Sequence, residues 1–201
     1  MSRVAIIDHG LGNLQAVEKA LVKAGGGSTV FRCYDPDALR RADVVVLPGT
    51  GRLTACVDEL RRLGMAELLP ELLRDKPVLA INIGLHALGR QGLGLLDFDT
   101  QALNADGLLD ARLPHLGWNR VHTRNAHPVW DGIPQDCWFY FAHNARAVAP
   151  DEQVVATCEY TEKFPAVMAH ERLIGVQFQP EISHDNGLRF LANFVNWDGR
   201  T

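Results

Sequence analysis

The apolar run Pro77-Val78-Leu79-Ala80-Ile81 leads into Asn82-Ile83-Gly84-Leu85-His86, the pattern of a buried strand that turns sharply into a helix and holds one side chain out at the turn. Elbows of this kind present a Ser or Cys nucleophile, and the glycine two positions later lets the backbone pass closely. Here the presented residue is Asn82, whose neutral carboxamide does not attack a carbonyl at physiological pH. Asparagine tolerates a left-handed backbone better than most residues, so the turn can outlast the chemistry. A second run, Gly175-Val176-Gln177-Phe178-Gln179-Pro180-Glu181, reads as a strand that brings polar side chains to the sheet rim, where a base and its orienting acid would stand beside an elbow. Taken alone it is also an ordinary strand end. The base position calls for an imidazole with a pKa near ~6.5. It carries Gln179, and Glu181 is left as an acid with no base to orient. His86, one helical turn after Asn82, and His184, close after Glu181, are the candidates for a relocated base.

These residues need a scaffold, and the hydropathy pattern supplies one. Short β-type runs alternate with helical patterns, which predicts an α/β fold: three layers, a mostly parallel mixed sheet flanked by helices. Strands are expected at Val4–Ile7, Thr29–Arg32, Val44–Leu47, Trp118–His122, Trp138–Phe141, Val154–Glu159, Ala166–Ala169 and Ile174–Phe178, besides the elbow strand. Helices are expected at Gly12–Ala24, from Pro36, at Arg52–Leu63, Met65–Leu73 and Asn186–Trp197. No repeat, linker or low-complexity segment interrupts residues 1–201, so a single domain is expected.

Composition narrows the function classes. A hydrophobic content of 47% over 201 residues can bury one full α/β core, and a net charge of −4 with mixed signs gives no basic stripe. Neither nucleic acid nor a membrane surface is therefore an expected partner. The start, Met-Ser-Arg and then a short apolar run ended by Asp8, does not read as a signal peptide, and a cytoplasmic location is expected. Cys33, Cys56, Cys137 and Cys158 lack ligand spacing and read as reduced thiols. No HxxxH or HxH pair joins His9, His86, His115 and His143, so neither a metal nor a cofactor is expected. Gly10-Leu11-Gly12-Asn13-Leu14 is half of a dinucleotide fingerprint, without its third glycine.

The whole chain resembles the class I glutamine amidotransferases, flavodoxin-like in fold, and within them the glutaminase subunits of imidazole glycerol phosphate synthase, which serve histidine biosynthesis. The resemblance is carried by Ile6-Ile7-Asp8-His9-Gly10-Leu11-Gly12-Asn13-Leu14, Leu47-Pro48-Gly49-Thr50-Gly51, Gly92-Leu93-Gly94-Leu95-Leu96, Pro114-His115-Leu116-Gly117-Trp118-Asn119, Phe139-Tyr140-Phe141-Ala142-His143 and Val176-Gln177-Phe178, in order and spacing. It implies an oxyanion strand at Gly49, Thr50 and Gly51. It implies a substrate pocket at His86, His143 and Asn144. It also implies a heterodimeric interface with a (β/α)8 cyclase through Gly10, Asn13, Pro114, His115, Trp118 and Asn119.

Departures from the family pattern fall where the chemistry would be. The family elbow reads Gly-Ile-Cys-Leu-Gly-Met-Gln and this one reads Ala80-Ile81-Asn82-Ile83-Gly84-Leu85-His86; the family's general base is replaced by Gln179, its Ser-Tyr after His143 by Asn144-Ala145, and its Tyr after Asp8 by His9. Losing a triad nucleophile removes on the order of 10⁶ in turnover, and a residual oxyanion hole retains only roughly 10³–10⁴ over water. The expectation is a pseudoenzyme: a glutaminase-inactive structural or regulatory partner of a cyclase-like barrel that uses free ammonia. Two alternatives stand beside it. One is an enzyme with a reassigned pocket built on His86, His184 or Glu181. The other is a small-molecule module in which Asn82 and Gln179 hold an amide or amino acid.

Overall fold

The computed structural model describes residues 2–105 and 112–200, so the two terminal residues of the expected domain lie outside it. In the first half, strands β1 (Arg3–Ile7), β2 (Thr29–Cys33), β3 (Val44–Leu47) and β4 (Val78–Ile81) alternate with helices α1 (Leu14–Ala24), α2 (Pro36–Arg40), α3 (Leu53–Arg62) and α4 (Met65–Asp75). A four-residue helix, α5 (Ile83–His86), follows β4. The second half adds β5 (Asp99–Ala102), β6 (His115–Thr123), β7 (Cys137–His143), β8 (Ala145–Val148), β9 (Val154–Glu159), β10 (Lys163–His170) and β11 (Leu173–Val176), and α6 (His184–Asn196) closes the order.

Nine strands form one mixed sheet in the order β2-β1-β3-β4-β11-β10-β9-β6-β7. The five from β2 to β11 are mutually parallel and the other four join antiparallel. The parallel half has the flavodoxin-like order, whose ligands bind beyond the carboxyl ends of the strands. Alternation along each strand divides the core between the two faces. Val4, Ile6, Val44, Val46, Leu79, Ile81, Ile174 and Val176 pack on one side with α1 and α6. Ala5, Ile7, Val45, Leu47, Val78, Ala80 and Leu173 pack on the other with the α2–α5 layer. This is the expected three-layer arrangement.

Two strands were not anticipated. β5 and β8 pair antiparallel, Asp99 opposite Val148 through Ala102 opposite Ala145, in a separate two-stranded sheet. Their residues are mostly half-buried or exposed, so neither carries the apolar signature that marks the main strands. β6 also begins earlier than expected, because His115-Leu116-Gly117 continue its ladder against β7 as far as His143.

Candidate functional site

The elbow is built as its sequence suggests. β4 is wholly buried between β3 and β11, and Asn82 follows it at φ 51°, ψ −112°. That ψ lies well away from the left-handed helical basin, so asparagine's ordinary tolerance does not cover this conformation and the surroundings must hold it. They do so through the Asn82 N–H donating to the Val176 carbonyl at 2.7 Å and the Asn82 carbonyl accepting from Leu85 N–H at 3.0 Å and His86 N–H at 3.2 Å. Gly84 is obligatory for a steric reason, since a Cβ there would run into the Leu47 carbonyl oxygen of the neighbouring strand.

The Asn82 side chain is the centre of a buried polar chain. Its Nδ2 donates to the Ala142 carbonyl at 3.0 Å, Gln177 Nε2 donates to Asn82 Oδ1 at 3.1 Å, His86 Nε2 lies 3.0 Å from Gln177 Oε1, and His86 Nδ1 lies 3.0 Å from Thr100 Oγ1. A backbone carbonyl can only accept, and this one fact sets the direction of every link. Asn82 must turn its NH₂ to Ala142 and its oxygen to Gln177, Gln177 must then turn its oxygen to His86, and His86 must carry its proton on Nε2 and accept from Thr100 at Nδ1. Asn82, His86 and Gln177 are 2%, 1% and 0% exposed. Burial pushes the His86 imidazole down to about 4, so it is neutral at physiological pH, with both nitrogens committed.

A second imidazole pair stands beside the first network. His143 Nδ1 donates to the Ala145 carbonyl at 2.8 Å, which leaves Nε2 to accept from His115 Nδ1 at 2.9 Å, while Asn119 Nδ2 approaches His115 Nε2 at 3.3 Å. His115 is sandwiched between Tyr160 at 4.0 Å and Phe141 at 4.8 Å. Burial holds both histidines down to about 4. His115 is 2% exposed, because the β6–β7 register turns its ring into the aromatic core.

Gly49, Thr50 and Gly51 follow β3, beside the elbow. The Gly49 carbonyl accepts from the Ile83 N–H at 3.2 Å, so the amide next to the elbow residue, the kind of donor an oxyanion hole uses, already has a partner. His9 ties the loop after β1 to this segment through a 2.6 Å hydrogen bond from Nε2 to the Pro48 carbonyl. Asn13 caps α1, its Oδ1 accepting from Ala16 N–H at 3.2 Å. Asn82, His86, Pro114, Leu116, His143 and Asn144 line a cleft of about 200 Å³. A neighbouring cavity of about 300 Å³ shares His86 and Asn144 with it.

Other expected site residues do not converge on this cleft. The Gln179 backbone N–H donates to Tyr140 and its carbonyl accepts from Ser183 Oγ, but its carboxamide makes no hydrogen bond among the described residues. Glu181 and His184 line a separate groove of about 460 Å³ against α1. Glu181 Oε2 is buried without a hydrogen-bond partner among the described residues, and burial pushes that carboxyl up to about 7. His184 stacks on the exposed Trp118 at 5.0 Å. Gln177 and Thr100 were not singled out from the sequence. Gln177 left one signal, a polar side chain inside a buried apolar run, which must find a partner; Thr100 left none.

Among the described residues no cluster of His, Cys, Asp and Glu could hold a metal ion, and no helix is long and apolar enough to cross a membrane. The model of the family "Glutamine amidotransferase class-I" matches residues 5–197. The chain is 40% identical to imidazole glycerol phosphate synthase subunit HisH of Nitrosococcus oceani, covering 99% of each, and 40% identical to subunit HisH 1 of Pseudomonas aeruginosa, covering 100% of this chain and 99% of that one. Among solved structures, PurLQS from Thermotoga maritima superposes with a TM-score of 0.75 at 18% identity, covering 98% of this chain and 99% of that one, a likeness of fold. With the strand order, the elbow and a near full-length sequence match in agreement, the chain belongs to the class I glutamine amidotransferase family.

Proposed function

We propose that this chain is a glutaminase-inactive member of its family that acts as a structural and regulatory subunit for a (β/α)8 cyclase-like barrel supplied with dissolved ammonia, in the pathway its relatives' names indicate. The observation that carries the reading is the buried chain through Asn82. The residue at the family's nucleophile position is a carboxamide with its amide donor and oxygen both bonded inside the protein. No free base stands next to it: His86 is neutral and doubly bonded, and position 179 is glutamine. The adjacent Ile83 amide is also occupied. The reassigned-enzyme reading is disfavoured because His86 faces one cleft while Glu181 and His184 line another.

Support for a partner comes from the surface beside the cleft. Leu116, Trp118, Trp138 and Ile182 are exposed apolar side chains. The β6–β7 register sets Trp118 opposite Tyr140 and Arg120 opposite Trp138, so Leu116, Trp118 and Trp138 share one face of the ladder. Clustered large apolar side chains of this kind anchor interfaces.

The test has two parts. Glutamate release from glutamine should stay at background for the chain alone and with the barrel protein encoded nearby; turnover at ordinary enzyme rates would overturn the reading. The barrel should bind 1:1 by size exclusion and calorimetry, with Trp118→Ala weakening it, and its rate with ammonium salt should rise when the chain is added. No association at tens of micromolar would favour a free-standing binding module. The double reversion Asn82→Cys with Gln179→His should restore weak glutaminase activity at most, because Cys cannot complete the amide chain and Ile83 N–H remains taken.

A further inference from the structure

A cleft of about 360 Å³ lies between β8 and the β9–β10 hairpin, away from the elbow, and it gathers Arg124, Arg146 and Lys163 around Thr157. Three cations at one place run against a chain whose net charge is −4. The sheet puts them there. Thr157 sits on β9 with Pro165 of β10 on one side and His122 of β6 on the other. Lys163 opens β10, Arg124 directly follows β6, and Arg146 stands on β8 opposite Gln101.

The charges are incompletely answered from within the protein. Arg124 Nη1 is 3.1 Å from Asp151, whose side chain is 87% exposed, so that carboxylate can turn to water at little cost. Arg146 Nη2 is 2.6 Å from Glu162 and donates to Gln101 Oε1 at 3.4 Å. Arg146 Nε, however, is buried with no hydrogen-bond partner, and Lys163 makes no ion pair among the described residues. The unpartnered guanidinium N–H can donate to one oxygen of a tetrahedral anion, an ammonium supplies a point charge, and a hydroxyl can donate to a further oxygen. A carboxylate has too few oxygens to use all of them.

We propose that this cleft binds a phosphate-type oxyanion, free phosphate or the phosphate group of a small ester, with Arg146 and Lys163 as the charged donors and the Thr157 hydroxyl and Arg124 completing the shell. The site is independent of the fate of the elbow. Calorimetry and ³¹P NMR of the whole chain with sodium phosphate, against sodium chloride at equal ionic strength, test it. Saturable 1:1 binding is expected, weakened about tenfold by Lys163→Gln and by Arg146→Lys, which keeps the charge but removes the Nε donor. Tighter binding of glycerol 3-phosphate than of phosphate would identify an ester as the ligand, and equal binding would identify the free ion. Absence of saturation by about 20 mM phosphate, or binding unchanged in both variants, would overturn the site. Lys163 is exposed, so its variant decides the question even if the Arg146 variant fails to fold.

Discussion

Replacing Asn82 by alanine tests the claim that position 82 now serves structure. The substitution leaves the Gln177 amide N–H without a partner in the core and the Ala142 carbonyl without one at the wall of the cleft. Each stranded group costs about 1–3 kcal/mol, and the cleft lets water reach the Ala142 carbonyl, so the expected loss is about 2–5 kcal/mol. For a domain of this size that lowers Tm by roughly 5–15 °C. Asn82→Gly strands the same groups but relieves the backbone at φ 51°, ψ −112°, and should be the milder of the two. Asn82→Asp is the sharper probe: a carboxylate still accepts from Gln177, but it opposes the Ala142 carbonyl with an acceptor, so the variant should be strongly destabilised above the carboxylate's pKa. Urea unfolding followed by circular dichroism, in the parent and in a Gln177→Met background, supplies a double-mutant cycle with an expected coupling of about 0.5–3 kcal/mol. An Asn82→Ala variant within about 0.5 kcal/mol of the parent at an unchanged m value, or strict additivity with Gln177→Met, would refute the amide chain as a stabilising unit.

The remaining predictions concern pH and packing. His86, His115, His127 and His143 are pushed down to about 4 by burial, so as the pH falls the unfolded chain takes up protons first; stability should drop between about pH 6.5 and pH 4, by up to about 1.4 kcal/mol per pH unit for each histidine, and a flat urea midpoint across that window would count against it. Glu181, pushed up to about 7, works in the opposite sense, because the folded state keeps its proton while the unfolded state ionises from about pH 4.5 upward. Glu181→Gln should therefore stabilise the protein at pH 8 and change little at pH 4, as read by thermal melts at the two values. Gly84→Ala drives a Cβ into the Leu47 backbone carbonyl and should cost more than about 4 kcal/mol or abolish soluble expression, whereas Gly175→Ala meets only the movable Leu85 side chain and should cost about 1–3 kcal/mol.

Much of the fold was legible because its signals are local. Each parallel strand is a short, wholly buried apolar run such as Val44–Leu47 or Val78–Ile81, and each core helix carries an apolar stripe at helical spacing, so periodicity alone separates them. The elbow could be read for the same reason, since a strand, a turn residue and a glycine two places on constrain one another within a few residues. β5 and β8 escaped because a two-stranded ribbon that buries little apolar surface writes no alternation into its sequence.

The amino-acid sequence by itself determined the layered α/β fold, the presence of the elbow and the chemical limits of Asn82 and Gln179. Only the tertiary structure decided what those residues do instead. Gln177 lies 95 positions from Asn82, and Ala142 lies 60 from it; no periodicity spans such distances. The strand order lays β11 against β4 and so brings Gln177 to Asn82, and the direction of the hydrogen bonds is set by a single backbone carbonyl, that of Ala142 on β7, at one end of the chain. The place of His115 in the aromatic core was hidden from the sequence for the same reason. Its burial is a property of the β6–β7 register, and register depends on both strands at once.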